Sequence, residues 1–356
     1  MNLLRAALPL LLVPTLVAQQ PMPSLSPAEQ EAALDLALRL FRARSVDAAK
    51  ASEVEQLIQR RRDAGEFAKT QGIAAFCEKL QADLQAVTHD PHGMVVFRPQ
   101  PRPVADPMRP PESIRQMEAG ETKQRAQMIA AGAAQNFAFV KAERLDGDIG
   151  YLRIDGCYPG CGPALASALG FLGRTKALIL DLRENGGGDP DAGMQVASCF
   201  LRTGNRLLET EHYLNGRIVH WRTPARPAAR YLDRPVFVLT SPRTFSAGES
   251  MAYDLQALKI AQIVGEGTPG GAGTVTGYRI HPNILMGISI SSATSDITGA
   301  SFQCVGLKPD LPCPEARALS VAHMRALEAV LATEPEGPDR DDAQQALDAL
   351  RSAKNP

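Results

Sequence analysis

Between Arg234 and Gly271 the chain reads RPVFVLTSPRTFSAGESMAYDLQALKIAQIVGEGTPGG, and Ser246 within it is placed to do chemistry. An apolar, β-branched run from Val236 to Thr240 breaks at Ser241-Pro242, and helical spacing begins at Ser246. The hydroxyl therefore falls at a strand-to-helix turn, where a helix N-terminus offers unpaired N–H groups and positive potential. Acyl transfer suits such a serine, because the N–H of Ala247 can hold an oxyanion as it forms. A structural alternative competes: Ser246-Ala-Gly-Glu249 also fits a capping box, in which serine and glutamate satisfy each other's backbone donors. Taken alone, the segment favours the cap.

Two further segments add to the chemistry. Ala177-Leu-Ile-Leu-Asp-Leu-Arg-Glu-Asn-Gly-Gly-Gly188 runs a buried strand into three glycines and a helix. Consecutive glycines let backbone N–H groups converge on one point, an anion-binding nest suited to an oxyanion. It has no Walker lysine, and its glycine spacing is wrong for a dinucleotide site. Leu84-Gln-Ala-Val-Thr-His89-Asp90-Pro91-His92-Gly93 carries two histidines where a helical region ends. Imidazole is the side chain best suited to taking a serine proton near neutral pH. A fourth segment, Thr298-Gly-Ala-Ser-Phe-Gln303-Cys-Val-Gly-Leu-Lys-Pro-Asp310, reads by itself as a turn and a short strand.

These residues need elements to position them. Ser26-Pro27-Ala-Glu29 is a helix start, and apolar residues then recur at helical spacing to about Val87. Residues 24–97 thus read as a small N-terminal helical bundle closed by a β-like run, and residues 98–136 as a proline-rich linker and a polar helix. From 137 to 334 strand and helix patterns alternate: strands 150–154, 177–182, 236–240 and 261–264, helices 163–172, 192–201 and 246–257, then a strand over 286–292. This predicts an α/β core with crossover connections and a partly parallel sheet. Residues 335–356 read as a charged tail.

Composition bounds the partners. With 38 basic and 39 acidic residues in 356, no nucleic-acid or anionic-membrane partner is expected. Residues 1–18 have Arg5, then an apolar stretch too short to span a bilayer, and predict a signal peptide cut near Ala18 and an exported protein. No later segment reads as transmembrane. The six cysteines suit an oxidising compartment; Cys157 with Cys161, and Cys304 with Cys313, are the nearest pairs and the expected disulfides. Their spacing is wrong for zinc, so neither metal nor cofactor is expected.

Taken together and in this order, DLRENGGG, TFSAGE, IVGEGTPGG and CVGLKPD resemble the S41 serine peptidases over roughly residues 80 to 315. That family includes the tail-specific proteases, the tricorn core protease and the interphotoreceptor retinoid-binding protein modules. The resemblance implies a ClpP/crotonase-like mixed sheet with helices, a peptide or protein substrate, Ser246 as nucleophile, and oxyanion donors from Ala247 and from Gly187 or Gly188. The tail-specific branch has a lysine base 25 residues after the serine, where this chain has Gly271, and a PDZ domain for which there is no room here. The other layout uses a histidine in an Asp-x-His context, which Asp90-Pro91-His92 matches, so His92 is the expected base with His89 in reserve. Its glutamate corresponds to Gln303. An amide can orient an imidazole but cannot offset its developing charge, a change that costs about 10⁴-fold in the well-studied aspartate case. The sequence therefore leaves two outcomes: a serine endopeptidase of weak activity, or a degraded module binding an apolar ligand or a partner protein. An unrelated α/β hydrolase is disfavoured, since Thr244-Phe-Ser246-Ala-Gly lacks a G-x-S-x-G elbow.

Overall fold

The computed structural model describes residues 24–106 and 114–352, so the expected signal peptide lies outside the described residues. Three helices open the fold: α1 (Pro27–Arg44), α2 (Ala48–Asp63) and α3 (Gly72–Thr88). Ser26 and Glu29 form the expected capping box on α1, and the Asp47 side chain accepts the Lys50 N–H at 3.0 Å to start α2. Strand β1 (Val95–Phe97) and helix α4 (Ile114–Ala134) follow, then β2 (Phe139–Leu145), β3 (Ile149–Ile154), α5 (Gly162–Leu172), β4 (Ala177–Asp181) and α6 (Asp191–Ser198). The chain continues through β5 (Leu207–Tyr213), β6 (Ile218–Arg222), β7 (Val236–Thr240), α7 (Ala247–Ala257) and β8 (Ala261–Gly265). It ends with β9 (Val275–His281), β10 (Ile284–Ser289), β11 (Ser291–Ser295), β12 (Leu311–Pro312), α8 (Glu315–Thr333) and α9 (Pro338–Ser352).

The main sheet has the order β12-β8-β7-β4-β3-β2 and is parallel except for the β2–β3 pair. Its central strand β4 is buried along its whole length, which is why it reads as a continuous apolar run and not as an alternation. Leu178 and Leu180 enter the core shared with α5, α6 and α7, while Ala177 and Ile179 face the core under α8 and α9. The fold is thus a mixed sheet with helices on both faces, in line with the expected class.

The N-terminal helices do not close their own core. Strand β1 pairs antiparallel with β10, and Ile280, Ile284, Met286 and Ile288 of the β1-β10-β9 sheet pack against Leu34, Leu40, Ile58 and Phe76. In a third sheet, β11-β5-β6, strands β5 and β6 have no counterpart in the sequence reading. The stretch 286–292, read as one strand, is two, β10 and β11, which pair with different partners.

Two expectations need correcting. All six cysteines are free: Cys157 and Cys161 are buried in the apolar core, Cys304 Sγ faces the Thr88 carbonyl, and Cys313 packs on the α8–α9 face. The segment read as a charged tail is helical from Pro338 to Ser352 and buries Ala343, Ala346 and Leu347 against the sheet-covering helix α8. Its charges lie on the outer face of an amphipathic helix, a pattern that composition hides. Truncating Leu347, 2% exposed, to alanine should therefore lower unfolding free energy by about 2–5 kcal/mol in urea titration; a loss below about 0.5 kcal/mol would show that α9 does not dock.

Candidate active site

The turn bearing Ser246 is built onto the exit of β4. Ser241 Oγ donates to the Arg183 carbonyl at 2.6 Å, Thr244 Oγ1 to that of Leu182 at 2.8 Å, and the Phe245 N–H to that of Asn185 at 2.9 Å. The capping pattern is present, as the sequence allowed, but the backbone is not that of an ordinary cap. Ser26, with the same Ser-x-x-Glu pattern, sits at φ −66°, ψ 156°, whereas Ser246 sits at φ 51°, ψ −122°. Such strain costs on the order of 1–3 kcal/mol and persists only where neighbours enforce it.

Glu249 is the enforcer. Its side chain is fully buried; Oε2 accepts the N–H groups of Ser246 at 2.9 Å and Gly271 at 2.8 Å, and Oε1 accepts that of Gly270 at 2.7 Å. One carboxylate thus fixes both the serine turn and the loop after β8.

The glycine turn lies directly against Ser246. Cys157 donates to the Gly187 carbonyl and accepts the Asp189 N–H, both at 2.9 Å, so the Gly188 peptide groups point away from Cys157. A side chain at Gly188 would meet the Cys157 carbonyl oxygen at 2.1 Å, and its φ is 138°; only glycine fits. The Gly187 N–H is committed to Asn185 Oδ1 at 3.0 Å. Asn185, fully buried, also donates from Nδ2 to the Ile154 carbonyl at 3.1 Å, tying β3 to this turn.

Gly188, Ser246, Ala247 and His92 line one cavity of about 220 Å³, together with Gln124, Glu209, Glu211, Trp221, Ser250 and Gly271. The two histidines part company here. His89 takes the left-handed conformation that ends α3 and is exposed, whereas His92 is 4% exposed with its ring against Phe245, centroids 4.7 Å apart. Asp90 shapes this loop: its Oδ1 accepts the His92 N–H at 2.9 Å and its Oδ2 the Ser289 hydroxyl at 2.5 Å. Asp90 Oδ1 lies 3.8 Å from His92 Nδ1, beyond hydrogen-bond range, and Nδ1 is buried without a partner. Burial lowers the His92 pKa below its ordinary value, partly opposed by the charges of Asp90 and Glu249. Gln303 is not in the cavity lining; its Oε1 accepts the Ala272 N–H at 2.6 Å.

Several residues of this site escaped the sequence reading. Helix α4 reaches the cavity through Gln124, and Arg125 next to it pairs with Asp189 at 2.7 Å and Asp191 at 3.0 Å at the start of α6. Gln81 on α3 accepts the Val95 N–H and donates to the Gly93 carbonyl, bracketing the His92 loop. Polar residues inside helical patterns gave no hint of these roles. Glu209 and Glu211 lie on the unforeseen strand β5.

A mixed sheet carrying a serine turn beside a glycine turn is an S41 peptidase-like core. Residues 148–313 match the model of peptidase family S41. The chain is similar to the carboxy-terminal processing protease CtpA of Bacillus subtilis (strain 168), 30% identical over 138 residues, which are 38% of this chain and 28% of that protein. The match thus spans little more than a quarter of the length of that relative. Among solved structures, a proposed peptidase from Parabacteroides merdae superposes with a TM-score of 0.55 at 17% identity, covering 80% of this chain and 90% of the other. Mature CPAF gives 0.53 at 13% identity, covering 93% and 99%. At such identities the superpositions establish the fold. No described helix is long and apolar enough to cross a membrane.

Two substitutions test this geometry. Glu249→Gln sets an amide NH₂ against backbone N–H donors and should cost about 3 kcal/mol in chemical denaturation; near-neutrality would mean the carboxylate clamp is not formed. A side chain at Gly271 would lie 2.4 Å from Phe245 and 2.8 Å from His92 Cε1. Gly271→Ala should thus cost about 1–3 kcal/mol and shift the His92 imidazole resonances in NMR; unchanged resonances would place the ring elsewhere.

Proposed function

We propose that this protein is an exported serine-type endopeptidase with Ser246 as nucleophile and His92 as general base. The observation that carries the reading is the shared cavity: a serine held in a strained turn and a buried imidazole open on the same small space. With Nδ1 sealed, Nε2 is the nitrogen left to act on the cavity side. It takes the Ser246 proton as Oγ attacks the peptide carbonyl, and the resulting oxyanion accepts N–H groups of Ala247, first residue of α7, and Gly188. Gly188 suits this role better than Gly187, whose N–H already serves Asn185. His92 then passes the proton to the leaving amine, and a water activated by the same nitrogen hydrolyses the acyl-enzyme. The leader-like residues 1–18 support export, and the S41 match supports a peptide or protein substrate.

One observation favours a second reading, a site that binds without turning over. His92 Nδ1 has no partner, and Gln303, where the resemblance expects an orienting glutamate, is engaged with Ala272. The carboxylates of Glu209 and Glu211 make the cavity a poor fit for an apolar ligand, so a binder would take a polar one.

A fluorophosphonate probe should label Ser246 in the folded protein, and His92→Ala should suppress labelling at least 100-fold. Because burial disfavours the imidazolium, His92 stays neutral at and somewhat below its ordinary value of 6.5. The labelling rate should therefore hold down to that pH and fall only on further acidification. Absence of labelling at neutral pH would leave the binding reading; a midpoint above 6.5 would contradict the buried, neutral base.

A further inference from the structure

The cavity beside Ser246 has a floor of acids that the proposed chemistry does not use. Glu209 and Glu211 line it and are 4% and 3% exposed. Near enough to feel the charge of Glu209 lies Asp254 of α7, fully buried, with neither carboxylate oxygen hydrogen-bonded. Asp254 lies one helical turn beyond Ser250 on the same face of α7, and Ser250, which hydrogen-bonds Glu209, also lines the cavity.

These acids are not paid for by the fold. Glu211 is held by Thr274 Oγ1 at 2.7 Å, Ser291 Oγ at 2.5 Å and Trp221 Nε1 at 3.1 Å, which fixes its position without supplying a counter-charge. The lining contains no lysine or arginine, and no basic side chain is among the groups that act on Glu209 or Asp254. Burial, with added like charge from Glu211 and Asp296, pushes the Glu209 carboxyl up to about 7, and burial beside Glu209 raises Asp254 as well. Unpaired buried carboxyls are costly, and a cation entering the cavity would relieve both at once. The volume, about 220 Å³, is the share of roughly seven waters and suits one long side chain.

We propose that this cavity is a cation-selective subsite, in which Glu209 and Glu211, backed by Asp254, receive the ammonium or guanidinium of a Lys or Arg side chain beside the scissile bond. The assignment rests on the reading of Ser246 as nucleophile in so far as it names a scissile bond. It specifies what the S41 match leaves open, the side chain that a substrate must present. Entry of the cation favours ionised Glu209, whose proton leaves to solvent, so the one positive charge that enters is matched by the one negative charge that forms.

The test compares kcat/KM for peptides that differ only next to the cleaved bond, carrying Lys, Arg, norleucine, Gln or Glu. Lys and Arg should exceed norleucine by about 10²-fold, in the range for a site whose buried polar groups go unpaired with the wrong substrate. Glu209→Gln should cut the Lys-to-norleucine ratio at least about 10-fold, and Asp254→Asn, the milder change, should lower it in the same direction. In parallel, calorimetry on Ser246→Ala with the intact peptides should show binding of Lys and Arg peptides and not of norleucine. Equal turnover and equal binding of Lys and norleucine peptides would overturn the subsite while leaving serine chemistry standing. Lysine-selective binding without fluorophosphonate labelling would do the reverse.

Discussion

Everything at this site depends on one buried carboxylate accepting three backbone N–H groups. Glu249 joins the turn that presents Ser246 to the loop that carries Gly270 and Gly271. Hydrogen bonds to a charged group contribute about 1.5–3 kcal/mol each, so one of them is comparable to the roughly 1–3 kcal/mol of strain stored at Ser246. The second loop is anchored in turn: Cys304 donates its N–H to the Gly270 carbonyl at 2.7 Å, and Gln303 holds Ala272. Serine turn, glycine loop and the segment around Gln303 therefore form one rigid unit. What the resemblance offers as a catalytic glutamine is, in this fold, a strut of that unit.

Helix α7 carries two buried acids with opposite fates. Glu249 has every carboxylate oxygen matched to donors, whereas Asp254, five residues on, has none. Packing cannot account for the second, since an apolar residue of similar size would remove an unsatisfied pair of oxygens at no loss of contact. Sites that keep such a cost commonly do so for function, trading stability against a task. Asp254 is near enough to feel the charge of Glu209, which lines the Ser246 cavity, and the task that fits this placement is electrostatic.

How much of this was legible in the chain differs by element. Strands β3, β4, β7 and β8 stood out because both faces are buried and their sequences are apolar throughout. Strands β5, β6 and β11 were hidden: LLETEHY, IVHWR and SSATS mix charge and hydroxyls with apolar residues, and long-range pairing alone makes them strands. Ser246 stood out from its place at a strand-to-helix turn, and His92 and Gly188 entered through the resemblance beside His89 and Gly187, but the contacts of Asn185 with the glycine turn and of Gln81 with the His92 loop were not foreseen, because a buried hydrogen bond between segments far apart in the chain leaves no local pattern. The capping-box ambiguity could not be resolved from sequence either. Ser26 and Ser246 share it, and only their backbone angles separate a cap from a strained turn.

The choice of base is also a packing matter. Gly271 stands where the tail-specific branch has its lysine, and sequence shows that the amine is missing without showing what replaces it. In the fold, the space that any side chain at 271 would enter is filled by the Phe245 ring and the edge of His92. A longer residue at 271 would therefore displace the Phe245 ring and the edge of His92. Glycine at 271 leaves the room that the edge of the His92 ring, carried on the loop after α3, occupies.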